Sequence, residues 1–163
     1  MRLLGAPLPP ETMRALLEVA GEVDPASPAL VRAVTGQLDA DDARVRLWAC
    51  ASLAALPHDD SLLTRVASVF VRCCVDHEPF YARAFHHAAH ALAPVLAERA
   101  AQAPELVAIR LLEALGWTGH YGKDHLDALR AIAGAPSRAL RAAARAAIER
   151  ISDPPPPFRR NRD

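Results

Sequence analysis

The stretch that decides the fold is residues 42–53, which read DARVRLWACASL. It opens with an acidic residue, which the dipole of a helix favours in its first turn, and it contains no Gly or Pro. The side chains that fall on one side at helical spacing are Val45, Trp48, Ala49, Ser52 and Leu56. The pattern therefore predicts an amphipathic helix over residues 41–56, which Pro57 ends.

Working outward, the same spacing and the turn residues between apolar segments predict seven further helices. They run from Pro9-Pro10 to Gly21, from Ser27-Pro28 to about residue 38, over about 59–75, 79–99, 104–115 and 124–133, and from Pro136-Ser137 to 151. Ser27 is expected to cap its helix through the hydroxyl, and Pro94 predicts a kink or a break. Because β-branched residues are sparse, we expect an all-α protein. The length of 163 residues suits one domain, which we expect over residues 1–152.

Charge and composition limit the classes of function. The net charge is zero, but eight arginines against three acidic residues leave the part from Arg130 onward at +5 and the first 129 residues at −5. Nucleic-acid binding is therefore unlikely on charge grounds, since it needs a basic surface. Three cysteines, one of them alone and two adjacent, indicate reduced thiols, and no apolar run reaches the length of a membrane span, so a cytoplasmic location is predicted.

Residues 42–53 resemble the first helix of a HEAT repeat, in which an acidic turn is followed by Val-Arg and by small residues that let helices stack closely. Residues 137–148, which read SRALRAAARAAI, are similar. The shared features are an arginine, an alanine three residues later and an aliphatic residue seven later: Arg46, Ala49 and Leu53 in the first segment, Arg141, Ala144 and Ile148 in the second. The chain thus resembles short bacterial HEAT-like helical repeat proteins. The alternative is a generic α-helical bundle.

This resemblance implies a right-handed α-solenoid of about eight helices. Separately, the four consecutive prolines from Pro154 to Pro157 predict an extended Pro-rich basic tail over residues 153–163, for which a disordered terminus is the alternative. The resemblance also implies a function: such proteins commonly hold a partner protein, as an adaptor, a complex subunit or an immunity-type binder. The side chains expected to face that partner are Ser61, Arg65, Ser68 and Arg72 on the helix over 59–75, and Arg138, Arg141 and Arg145 on the last helix. For each of them, an ordinary solvated face is the alternative.

A second hypothesis is a small enzyme or ligand-binding protein. His86 and His90 lie one helical turn apart, as two metal ligands can, and the Gly-rich connection that follows Leu115 carries His120, Tyr121 and His125. The alternatives are surface histidines and a helix end, with Gly116 or Gly119 at the C-terminus and Trp117 packed on a neighbour. Two histidines do not complete a metal site, and no nucleophile, base and orienting group can be grouped from the sequence, so no metal, cofactor or catalytic residue is assigned.

Overall fold

The computed structural model of the chain describes residues 27–76 and 82–154. Within these ranges the protein is helical and contains no strand. The predicted helix up to Gly21 and the tail beyond Pro154 lie outside the described residues. The α-helices are α1 (Pro28–Gly36), α2 (Ala43–Ala55), α3 (Asp60–Val75), α4 (Ala82–Ala100), α5 (Glu105–Trp117), α6 (Leu126–Ile132) and α7 (Arg138–Ser152).

The chain divides into two compact units, Met1–Ala88 and Ala89–Asp163. Helices α1, α2 and α3 belong to the first unit and α5, α6 and α7 to the second, while α4 contributes residues to both. None of the helices within the described ranges is long and apolar enough to span a membrane. The prediction of one domain over residues 1–152 stays a prediction.

In the first unit, α1 leads through a 3-10 turn (Gln37–Asp39) into α2, and α2 packs against both α1 and α3. Helix α2 is consequently buried around most of its circumference rather than along one side. Leu47 and Cys50 are buried, whereas Trp48 and Ser52, which the spacing placed inside, are half-buried. The one-sided pattern was wrong because alanine and cysteine are small enough for helices to pack against several faces of α2.

Three of the described helices begin at a side-chain cap, α2 at Asp42, α3 at Asp59 and α7 at Ser137, whereas α1, α5 and α6 begin without one. The Asp42 carboxylate accepts a hydrogen bond from the Arg44 amide (2.8 Å), and the Ser137 hydroxyl accepts one from the Leu140 amide (3.3 Å). Ser27 occupies the equivalent position of α1, but its side chain makes no capping hydrogen bond, so the predicted hydroxyl cap is wrong. Pro28 starts this helix instead, because its ring holds φ at a helical value.

Helix α4 is not broken at Pro94 and continues from Ala82 to Ala100. A proline inside a helix removes one hydrogen bond and crowds the preceding turn, at a cost of about 3 kcal/mol. The pyrrolidine ring lies on the exposed side, and side chains before and after it are fully buried, among them Leu92 and Leu96. Burial of apolar surface on both sides of the proline stabilises the continuous helix.

In the second unit, α5, α6 and the segment between them all pack against α7. The Gly-rich connection predicted from the sequence forms a 3-10 helix (Gly119–His125). A Cβ at Gly122 would lie 2.6 Å from Ile151 Cδ1, and one at Gly116 would lie 3.1 Å from Ala147 Cα. Both glycines therefore permit close approach of α7. Among the glycines that the structure describes, only Gly119 has a positive φ, 61°, and it follows the last turn of α5 as a left-handed C-terminal residue, as one of the alternatives predicted.

Candidate functional site

The four polar side chains predicted along α3 are all exposed. Ser61, Arg65, Ser68 and Arg72 follow each other at intervals of four, three and four residues, and cover about 16 Å of the helix. The opposite face supplies the buried side chains Leu63, Val66, Val69 and Phe70, as the sequence predicted. The two faces of α3 are thus cleanly separated.

Two members of this stripe already have hydrogen-bond partners. The Arg65 guanidinium forms an exposed ion pair with Asp39, with 2.6 Å between Nη2 and Oδ2. The Ser68 hydroxyl donates to the Thr64 carbonyl oxygen (2.8 Å). Arg72 forms no ion pair with any residue in the described ranges. Its guanidinium is the most available cation of the stripe.

The three arginines of α7 fall into two environments. Arg138 and Arg145 are exposed, and neither has an ion-pair partner within the described part of the chain. Arg141 is half-buried, and its Nη1 donates to the carbonyl oxygens of Ala135 (3.0 Å) and Pro136 (2.6 Å). The sequence placed all three on one outward face, but Arg141 is engaged in holding the turn that precedes its own helix.

Arg46 makes the same pair of hydrogen bonds in the first unit. Its Nη1 donates to the carbonyl oxygens of Ala40 (2.6 Å) and Asp41 (2.8 Å), again six and five residues before the arginine. Its Nε also approaches Cys73 Sγ at 3.5 Å. The two arginines that the sequence pattern matched to each other thus perform one structural task, in which a charged donor satisfies two carbonyl oxygens ahead of a helix.

The correspondence extends along both units at a fixed spacing, where residue n of the first matches residue n + 95 of the second. Buried residues at matching positions are Val34 and Leu129, Ala49 and Ala144, and Leu56 and Ile151. The capping residues also match, as Asp42 and Ser137. The sequence also carries identical residues at this spacing, which is a signal of an internal repeat beyond residues 42–53 and 137–148. Pro9 matches Pro104, Leu16-Leu17-Glu18 match Leu111-Leu112-Glu113, and Gly21 matches Gly116.

Three of the residues named for the ligand hypothesis meet in the second unit. The ring of Tyr121 lies 3.9 Å from the ring of His120 and 5.5 Å from that of His90, measured between centroids. His90 is exposed, whereas Tyr121 and His120 are half-buried, and the Nε2 atom of His120 is shielded from solvent. The arrangement is an aromatic cluster that joins α4 to the 3-10 segment.

The other two histidines of the hypothesis have different surroundings. His86 belongs to the first unit, where its ring meets Phe85 edge-on at 5.5 Å, and His125 lies half-buried at the end of the 3-10 segment. Within residues 27–76 and 82–154, no three His, Cys, Asp or Glu side chains are grouped so that they could hold a metal ion. The geometry of the described residues offers two imidazoles beside a phenol.

Both tryptophans have partners that the sequence did not indicate. Trp48 is half-buried, with the exposed His87 ring 4.5 Å away. Trp117 lies under the guanidinium of Arg150 at 4.5 Å, a cation–π contact between α5 and α7. Each contact joins side chains of two helices. The sequence could not identify Arg150 as the partner of Trp117, because its position relative to the ring depends on how α5 and α7 pack.

All three cysteines are buried, and none forms a disulfide within the described residues. Burial raises the pKa of the Cys50 thiol far above its usual range, and the neighbouring Cys73 adds to the effect. The Cys50 sulfur contacts the Val66 carbonyl oxygen at 3.7 Å. Thiols protonated in this way pack as small apolar side chains and are poor nucleophiles.

Comparison of the chain with protein-family models, with curated proteins and with solved structures finds no match in any of the three.

Proposed function

We propose that this chain is a protein-binding module built from HEAT-like helical repeats, which presents the exposed stripe of α3 to an acidic surface of a partner protein. The observation that carries the proposal is the exposure of Ser61, Arg65, Ser68 and Arg72 along one regular helix face. Arginine forks match carboxylates in a bidentate geometry, and hydroxyls between them supply further hydrogen bonds.

The repeat part of the proposal is supported by the internal correspondence. Arg46 and Arg141 bind carbonyl oxygens six and five residues before them, and the helices that carry them begin at matching capping residues. A unit that recurs with its hydrogen bonds in register is typical of repeat proteins, which use their extended surfaces for binding. The right-handed solenoid of about eight helices belongs to this proposal.

The ion pair of Arg65 with Asp39 bears on how such a surface works. An exposed pair of this kind contributes at most about 1 kcal/mol to stability, so a partner carboxylate can displace Asp39 at small cost. The pair fixes the Arg65 guanidinium beside Asp39, and Arg72 lies about 10 Å further along the helix. The partner expected from this spacing carries two carboxylates a similar distance apart.

The test compares the double variant Arg65→Glu/Arg72→Glu with the control Arg32→Glu/Arg83→Glu, in which two other exposed arginines of the first unit carry the same change of charge. Each tagged protein is used for affinity capture from extracts of its source cells. A partner retained by the wild type and the control in stoichiometric amount, but lost by the α3 variant, supports the proposal. Retention of the same partner by the α3 variant contradicts it.

A second candidate is a small-ligand function at His90, His120 and Tyr121, favoured by their ring contacts. The imidazoles and the phenol can exchange hydrogen bonds with a small ligand, and the imidazoles can also coordinate a metal ion. A metal assay on the same purified sample, with His90→Ala/Tyr121→Ala as the variant, separates the candidates. Bound metal that the variant loses, together with the absence of a captured protein, would favour this second function.

A further inference from the structure

Helix α2 packs against α3 on the side that carries Cys50. Ala43, Leu47, Cys50 and Ala54 lie along this face at intervals of four, three and four residues, and all are buried. The Cys50 sulfur contacts the Val66 carbonyl oxygen of α3, and Arg46, one turn earlier, approaches Cys73. From Arg46 to Cys50 the residue number increases along α2, whereas the partners in α3 decrease from Cys73 to Val66. The two helices therefore pack antiparallel.

The matching face of α7 is open. At the spacing of 95 residues the four positions become Arg138, Ala142, Arg145 and Glu149, and all four are exposed. Among the described residues no helix follows α7, which ends at Ser152. The surface of the second unit that matches the α3-packing face of α2 is therefore exposed, and three of its four side chains are charged.

The side chains of this face define a pattern of charge. Arg138 and Arg145 stand two turns apart, about 10 Å along the helix, and Glu149 follows Arg145 by one turn. Ala142 between the arginines is small and lets a facing backbone come close. The arginines attract carboxylates and repel basic or equally arginine-rich surfaces, while Glu149 attracts a cation at one end only.

We propose that the face of α7 formed by Arg138, Ala142, Arg145 and Glu149 docks an acidic helix of a partner protein, antiparallel to α7 as α3 is to α2. The facing side of that helix carries a lysine or arginine, then an acidic residue four positions later, then another acidic residue seven positions after that. These three charges meet Glu149, Arg145 and Arg138 respectively. The inference rests on the proposed function for the idea of a protein partner, but it concerns a different helix and is tested separately.

The probe is a synthetic alanine-rich helical peptide of about 20 residues with Lys, Glu and Glu at these spacings, labelled with a fluorophore. A second peptide has the same composition with the three charged residues moved to other faces of the helix. Fluorescence anisotropy at low ionic strength measures the binding of each peptide to the full chain. The patterned peptide should bind at least about tenfold more tightly than the rearranged one.

The variant Arg138→Glu/Arg145→Glu should weaken binding of the patterned peptide by about tenfold or more, because attraction becomes repulsion at two positions. The control Arg110→Glu/Arg130→Glu changes two exposed arginines of α5 and α6 and should leave binding within about twofold. Far-UV circular dichroism confirms that each variant is folded. Adding Glu149→Lys to the α7 variant should restore binding to a peptide with all three charges inverted.

Three outcomes overturn the proposal. The first is no measurable binding of the patterned peptide at up to about millimolar protein. The second is equal binding of the two peptides, or equal losses in the α7 variant and its control. The third is self-association of the wild-type chain that the α7 variant abolishes, as seen by sedimentation, which would make a second copy the occupant. Failure here leaves the α3 test unaffected, since Arg65 and Arg72 are unchanged in every protein used.

Discussion

Gly122 offers the sharpest test of how the second unit is packed. A Cβ at this position would lie 2.6 Å from Ile151 Cδ1 and 2.9 Å from Cγ1, where carbon atoms at rest stand about 3.5 to 4.0 Å apart. Ile151 is fully buried and cannot turn into solvent. The substitution Gly122→Ala must therefore shift α7 or force Ile151 into another rotamer, at a cost of about 2 to 3 kcal/mol.

A double-mutant cycle isolates this contact. Ile151→Val removes Cδ1, the nearest atom, and by itself costs about 1 kcal/mol through lost burial. The double variant should be about 1 kcal/mol more stable than the sum of the single effects predicts, because valine partly makes room for the new methyl group. Urea unfolding followed by circular dichroism gives the free energies, with midpoints compared at equal slope.

Gly36 provides the matched control. A Cβ there would have no atom within 4 Å, and the backbone is helical, with φ −61°. Gly36→Ala should stabilise the protein by about 0.4 to 1 kcal/mol, since it only restricts the unfolded chain. If Gly122→Ala falls within about 0.5 kcal/mol of the wild type, or if the double variant is strictly additive, the close approach of Gly122 to Ile151 is refuted.

The remaining predictions concern hydrogen bonds, a cap and a thiol. Arg46→Ala and Arg141→Ala should each lower the free energy of unfolding by about 1 to 3 kcal/mol in urea titrations, and an effect in only one of the two would contradict their equivalence. Asp42→Ala should cost about 1 kcal/mol at neutral pH. Hydrogen bonds from Arg44 lower the pKa of the Asp42 carboxyl below its ordinary value of 3.8. The stabilisation that the Asp42 carboxylate provides is therefore present above pH 3.8 and fades as the pH falls through the lower pKa of the folded protein. If Asp42→Ala costs the same free energy of unfolding in acid as at neutral pH, this reasoning is wrong. The Cys50 thiol should resist alkylation in the native protein and react in denaturant, as mass spectrometry can show, and rapid native labelling would exclude its burial.

Helix identity and several helix ends were predictable because they depend on neighbours within a few residues. Asp59, Ser137 and the spacing of Leu63, Val66 and Phe70 carry their information locally, so the prediction for α3 and the start of α7 is confirmed. The polar side chains of α3, Arg65 and Arg72 among them, are exposed as predicted, because the geometry of one helix separates them from the buried side; their role in binding stays a prediction.

Sequence spacing was less informative where several helices meet. Trp48 and Ser52 are half-buried because α2 is packed on more than one face. The small residues of α2 allow this packing, but their spacing does not predict it. Pro94 remains inside α4 because burial on both sides of it outweighs the lost hydrogen bond. In each case tertiary contacts overrode a local preference.

The sequence by itself determined that this protein is helical, where most helices begin, and which polar side chains of α3 face outward. Only the tertiary structure decided the roles of residues that act across helices. Gly116 and Gly122 are glycines because α7 passes close by, and Arg141 binds carbonyl oxygens instead of extending from a charged face. Local periodicity fixes which side of a helix a residue occupies, whereas the partner on that side is set by packing between segments far apart in the chain.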